Sequence, residues 1–153
     1  MTKNVFYLPE GYATITPYLI VKNAAKAIEF YKAVFGAKEL MCMPGPNNSV
    51  GHAELTIGES KFMLADECPD MDAKAPSAYG GSPVGIHLYV KDVDAIVNQA
   101  IKHGAKLTQN VEDRFYGDRN GTIEDPFGHK WHISTHIEDV SEEEVMKRMQ
   151  EGM

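Results

Sequence analysis

Cysteine, positive charge and long apolar runs are all scarce in this chain of 153 residues. Only Cys42 and Cys68 occur, and no C-x-x-C spacing is present. A disulfide scaffold and the common thiolate zinc and redox motifs are thereby excluded, which leaves two free thiols in a reducing compartment. No stretch approaches the roughly 18 apolar residues that span a bilayer, so no membrane partner is expected. The N-terminal residues Met1 to Glu10 lack an apolar signal-type core, and the expected location is cytoplasmic. Fifteen Lys and Arg stand against 22 Asp and Glu, giving a net charge of −7 and a pI of about 5.3. Nonspecific nucleic-acid binding needs a basic footprint, so no nucleic-acid partner is expected.

What is present is ordinary globular material, with 43% apolar and 24% charged residues. A chain of this size buries enough surface to fold without cross-links. Apolar and β-rich residues from Ala13 to Val21 predict a strand. Asn23 offers a helix N-cap, and Ala24, Ala27, Ile28, Tyr31, Val34 and Phe35 recur at helical spacing up to Gly36. A strand over Ala37 to Met43 follows, and then strands at Val50–Ile57 and Lys61–Asp66, joined by the turn Gly58-Glu59-Ser60. Glu67 to Pro83 is rich in Pro and Gly and predicts an irregular linker.

The pattern then restarts. Gly85 to Val90 predicts a strand, Asp92 an N-cap, and Val93 to His103 an amphipathic helix stopped by Gly104. Strands over Leu107–Val111, Asn120–Glu124 and Lys130–Thr135 complete the second half. Gly36 and Gly104 are 68 positions apart (104 − 36), and Val21 and Val90 are 69 apart (90 − 21). The chain therefore reads as β-α-β-β-β written twice, over residues of about 12–67 and 84–137, within a single domain spanning 1–153. Ser141 with Glu144 forms a capping box, so a C-terminal helix is expected over about 141–150.

Strand side chains alternate faces. One parity is apolar and belongs under the helices: Leu19, Val21, Ala53, Leu55, Trp131 and Ile133 are examples. The other parity carries Tyr18, His52, Glu54, Met63, His87, Tyr89 and His132, a polar and aromatic set suited to an open ligand-binding face. These residues, with Arg119, are the candidate ligand contacts. Arg119 reads either as an anion clamp at a pocket mouth or as a brace paired with Asp118 or Glu124. His87 and Tyr89 are the candidate acid–base pair. The two half-repeats also place His52, Glu54, His87 and His132 as an alternative metal donor set.

Several motifs carry a family resemblance. They are Ile15-Thr16-Pro17-Tyr18-Leu19, Ala27-Ile28-Glu29-Phe30-Tyr31, His52-Ala53-Glu54-Leu55, Tyr89-Val90-Lys91-Asp92-Val93 and, most specifically, Asp125-Pro126-Phe127-Gly128-His129-Lys130-Trp131. With these the chain resembles the PhnB-like branch of the vicinal oxygen chelate superfamily, which includes glyoxalase I, bleomycin-resistance proteins and extradiol dioxygenases. The resemblance implies an α+β fold in which tandem βαβββ modules form a curved mixed-sheet cup.

It also implies four divalent-metal positions, which fall at Thr16, near Met63, at Gly85 and at His132. Only His132 is a strong donor type, so no cofactor is favoured. The expected function is binding of a small organic ligand in a polar cup, with the standard metal site largely lost. One alternative is a metal-dependent lyase, isomerase or dioxygenase that uses Zn, Ni, Mn or Fe on the displaced His52, Glu54, His87 and His132 set. Another is a dimeric interaction scaffold. A homodimer is the expected assembly, with the C-terminal helix over the neighbouring subunit or over its own cup.

Overall fold

The structure is a computed structural model and describes residues 4–152. The chain divides between Ala78 and Tyr79 into two compact units.

In the first unit, β1 (Tyr18–Val21), α1 (Ala24–Phe35), β2 (Lys38–Pro44), β3 (Val50–Ile57) and β4 (Ser60–Asp66) build one four-stranded sheet in the order β1-β4-β3-β2. β1 runs parallel to β4, and the other pairs are antiparallel. The parallel pair requires a crossover, and α1 lies in the connection after β1. Its apolar stripe packs on the inward parity of the sheet, where Leu19, Val21, Ala53, Leu55 and Leu64 are buried. Tyr31 of α1 meets Phe62 of β4 edge to face at 5.6 Å between ring centroids.

Both ends of α1 are specified locally. Asn23 adopts a left-handed conformation (φ 65°), and its side chain accepts from Lys26 N–H. Gly36 closes the helix at φ 68°, a value glycine adopts without a Cβ penalty. Asp66, at the end of β4, accepts from Ala24 N–H with one oxygen and Val50 N–H with the other, each at 2.8 Å.

The second unit repeats this plan with β5 (Gly85–Tyr89), α2 (Val93–Lys102), β6 (Lys106–Asp113), β7 (Asp118–Glu124) and β8 (Lys130–His136), in the order β5-β8-β7-β6. β5 is parallel to β8. Thr135 Oγ1, at the end of β8, accepts from Val93 N–H at the start of α2 and donates to Val90 C=O, both at 2.9 Å. The turn before β8 is organised by the buried Asp125, which accepts from Phe127 N–H, His129 N–H and Trp131 Nε1–H. α3 (Glu142–Glu151) follows and is capped by Ser141. This is the expected α+β architecture of two βαβββ repeats with a C-terminal helix.

Three local expectations are corrected. β1 begins at Tyr18 and not at Ala13, because Pro17 has no N–H with which to extend the ladder. The linker holds two 3₁₀ turns, Pro69–Met71 and Pro76–Tyr79, each opened by a proline whose missing N–H costs a helical start nothing. β6 and β7 run longer than expected, to Asp113 and from Asp118, because Arg114 N–H bonds Asp118 C=O and closes a tight connection. α3 buries none of its residues. It is held instead by Arg148, which donates to Glu138, Glu144 and the Phe115 carbonyl.

Candidate functional site

The alternation places the polar parity of each sheet on the face away from its helix. In the first unit, Tyr18, His52, Glu54 and Met63 come together there. Register sets Tyr18 beside Met63 and Met63 beside Glu54. His52 and Glu54 are two apart on β3 and share the face. Their side chains form a continuous chain of hydrogen bonds: Tyr18 Oη lies 2.8 Å from His52 Nδ1, and His52 Nε2 lies 2.9 Å from Glu54 Oε2. The other carboxylate oxygen of Glu54 accepts from the Tyr12 hydroxyl. Tyr12, which precedes β1, is the member that the sequence reading missed. Lys61 Nζ sits 5.1 Å from the centre of the Tyr12 ring and donates to the Gly11 carbonyl at 2.5 Å, so it holds this segment against β4.

In the second unit, His87, Tyr89 and His132 share the open face of β5 and β8, with His87 and His132 directly in register. Their ring centroids are 6.1 Å apart. His132 Nδ1 lies 2.9 Å from Thr122 Oγ1, whose own hydrogen goes to Gln109 Oε1 at 3.2 Å. Thr122 therefore accepts and His132 Nδ1 donates, and in the neutral ring the lone pair is then on Nε2. That nitrogen rests over Gly85, where a Cβ would stand 2.3 Å from it.

His87 and Tyr89 are in ring contact, with centroids 4.9 Å apart, but they are not hydrogen-bonded to each other. Side chains two apart on a strand project side by side. His87 Nε2 bonds the fully buried Ser134 Oγ at 2.8 Å. Tyr89 Oη donates to Asp118 Oδ2 at 3.0 Å, and this bond holds the phenol above its ordinary pKa, with smaller contributions from desolvation and the Asp118 charge. In this bond the Tyr89 hydroxyl is the donor. Asp118, 5% exposed, gives its second oxygen to His136 Nδ1 at 2.8 Å. An open depression beside this group is lined by Tyr89, Val90, Lys91, Thr135 and His136.

Arg119 stands apart from the His87, Tyr89 and His132 group. It lies on the parity of β7 shared with the buried Ile123, and its guanidinium reaches both carboxylate oxygens of Asp94 on α2, at 2.8 and 2.9 Å, and Asp113 at 3.0 Å. Of the two readings of Arg119, these bonds match the brace, and its partners are corrected: Asp94 and Asp113 stand in place of Asp118 or Glu124. These bonds raise its pKa further and lower that of Asp94.

The donor set does not fit a resident divalent ion. Of the four positions implied by the resemblance, Thr16, Met63 and Gly85 supply no strong donor. In the alternative set, His52 and Glu54 are bonded to each other and His87 Nε2 is taken by Ser134. No group of three or more His, Cys, Asp or Glu placed to hold a metal exists among the described residues.

The Glyoxalase/Bleomycin resistance protein/Dioxygenase superfamily matches this sequence over residues 11–133. The chain belongs to that superfamily, the vicinal oxygen chelate proteins. It is 41% identical over 138 residues to an uncharacterized protein of Mycobacterium tuberculosis H37Rv, covering 88% of this chain and 81% of that protein. The PhnB protein of Bacillus cereus superposes with a TM-score of 0.64 at 16% identity, over 80% of this chain and 99% of that one. The fosfomycin resistance protein FosX of Listeria monocytogenes, solved with Mn(II) and sulfate, superposes with a TM-score of 0.63 at 16% identity, over 90% and 97%. At these identities the two structures share the fold with this chain, and the Mn(II) is a property of FosX.

Proposed function

We propose that this protein binds a small organic ligand through the polar side chains on its open sheet faces, and that it does so without a resident divalent ion. The observation that carries this reading is the Tyr18–His52–Glu54–Tyr12 chain. Titratable groups are linked there on a strand face that no helix of the same unit covers, with Tyr18 48% exposed. A face meant only for water has no need of such an ordered set. His87, Tyr89 and His132 are the corresponding ligand contacts of the second unit. The lone pair on His132 Nε2 serves as an acceptor, and Tyr89 and its Asp118 partner supply a protonated phenol. The reading places the protein in the cytoplasm as a homodimer, the commonest closed assembly.

A metal-dependent lyase, isomerase or dioxygenase is not favoured, because the donors needed are engaged with one another or with hydroxyls. A pure assembly scaffold is disfavoured by the same ordered polar groups, which add no adhesive apolar area.

The test is a titration of the full chain, labelled at histidine and tyrosine rings, with a library of small polar and aromatic organic compounds followed by NMR. A binder that moves the resonances of Tyr18 and His52, or of His87 and His132, supports the reading. A library in which no compound moves any of them at millimolar concentration overturns it.

A further inference from the structure

The hydrogen bonds on the open face of the first sheet have a direction. Glu54, as a carboxylate, only accepts: one oxygen takes the Tyr12 hydroxyl and the other takes His52 Nε2–H. A neutral imidazole that donates from Nε2 has only a lone pair at Nδ1. With the ring neutral, His52 Nδ1 accepts the Tyr18 hydroxyl hydrogen at 2.8 Å. Tyr18 Oη, its proton committed inward, presents only lone pairs outward. Each bond in the series polarises the next toward the carboxylate, so the exposed end is a better acceptor than an isolated phenol.

The surroundings of that acceptor are apolar. Register pairs Met41 with Glu54, Met43 with His52 and Met63 with both Glu54 and Tyr18. Directly paired residues project to the same side of the sheet. Three thioethers therefore flank the polar chain, and Met41 and Met43 are about half exposed. Methionine side chains adapt to flat apolar and aromatic bodies.

We infer that the first unit's open face takes a neutral, largely apolar molecule through a hydroxyl group, a phenol above all, which donates its hydrogen to Tyr18 Oη while its body lies on Met41, Met43 and Met63. A carboxylate has no hydrogen to offer, and a carboxylate or phosphate head group meets Glu54 as a like charge. The inference rests on the small-molecule reading above and narrows it to a ligand class and one acceptor atom. Because His52 lies behind Tyr18, the same chain can accept the hydroxyl proton: the ligand proton passes to Tyr18 Oη as the Tyr18 proton passes to His52 Nδ1. The ligand is left as its oxyanion and the imidazolium is paired with Glu54.

A matched pair of probes isolates the donor. 4-Ethylphenol and 4-ethylanisole have similar bodies, and only the first carries an O–H. Binding to the full chain labelled with [ε-¹³C]methionine is followed by NMR, with Met71 in the linker and Met146 and Met149 on α3 as internal controls. Both probes are expected to shift Met41, Met43 and Met63 and leave the controls in place, with the phenol bound about fivefold more tightly. Tyr18→Phe is expected to erase that preference. Tyr18 is half exposed, so this variant keeps the fold.

Equal affinity of the two probes for the wild-type protein overturns the inference and leaves the broader reading standing. So does a response of the ring-labelled chain confined to His87 and His132, with Met41, Met43 and Met63 unmoved in the methionine-labelled chain. A preference for the phenol that survives Tyr18→Phe also overturns it, since the acceptor then lies elsewhere. No response in either unit removes this inference and, with a silent wider library, the reading beneath it.

Discussion

His132 rests its imidazole on Gly85: a Cβ at that glycine would stand 2.3 Å from Nε2 and 2.6 Å from Cδ2. The ring is held there by the bond from Nδ1 to Thr122, so the missing side chain of one strand makes the seat for the side chain of the next. Gly85→Ala is expected to swing the ring off its seat and break the Thr122 bond. A net cost of about 1 kcal/mol follows, the usual worth of one such bond. Urea unfolding measures the cost, and the His132 ring resonances report the movement. Unchanged resonances in the variant would show that the ring does not depend on the space left by Gly85.

The starts of α1 and α2 are each held by the last strand of their own sheet. Asp66 serves α1 and Thr135 serves α2, and the two positions are 69 apart (135 − 66), the spacing of Val21 and Val90. Thr135→Val keeps the volume and removes the acceptor for Val93 N–H, and it should cost about 1–2 kcal/mol. Asp66→Ala should cost somewhat more, because both oxygens are used and Val50 N–H loses its partner as well. Equilibrium unfolding in urea decides both cases. If Thr135→Val were as stable as wild type, the cap would contribute nothing to the fold.

Much of this fold is legible in the sequence because periodicity and capping act locally. Asn23, Gly36, Asp92 and Ser141 mark helix ends from a few neighbouring residues, and the 68- to 69-residue repeat then fixes the order of elements. The open-face parity is equally local, and it places Tyr18, His52, Glu54, His87 and His132 on the correct side of their strands. What is not legible depends on partners far apart in sequence. Tyr12 joins Glu54 across 42 positions, and Arg119 reaches Asp94 across 25. Neither separation has a periodic signature. The register that sets Met41 and Met43 beside Glu54 and His52 passes a bulge between Glu39 and Met41, which alternation counted along one strand does not reveal.

Metal loading separates this chain's donor geometry from that of a metal-dependent superfamily member. After dialysis against chelator and then against micromolar Zn, Ni, Mn or Fe(II), elemental mass spectrometry is expected to find far less than one ion per chain. Melting temperature is expected to stay the same with and without metal, in the wild type and in His87→Ala and His132→Ala alike. An ion that binds the folded form raises its stability with concentration. One ion per chain, with a metal-dependent rise in melting temperature lost in His132→Ala, would mean that the side chains rearrange into a site absent from this structure.

His136 bonds two carboxylates, Asp118 Oδ1 from Nδ1 at 2.8 Å and Asp139 Oδ1 from Nε2 at 2.7 Å. Carboxylates accept, so both ring nitrogens must donate, and only the imidazolium has a hydrogen on each. The hydrogen bond to Asp118, then that to Asp139, raises the His136 pKa above its ordinary value of about 6.5. A folded-state pKa above the unfolded one means that the native state binds the extra proton more tightly. Its contribution to stability is complete below about pH 6.5 and is lost as pH rises through the folded value. The wild type is therefore expected to lose urea resistance between about pH 6 and about pH 9 by more than His136→Gln does, since the variant has no proton to release. The difference between the two proteins removes the contributions of the other five histidines, which both retain. A further loss belongs to Tyr89, whose phenol Asp118 also holds above its ordinary value, and it begins only above about pH 10. Parallel pH profiles for wild type and His136→Gln below that point would show that the Asp118–His136–Asp139 series carries no proton in the native state.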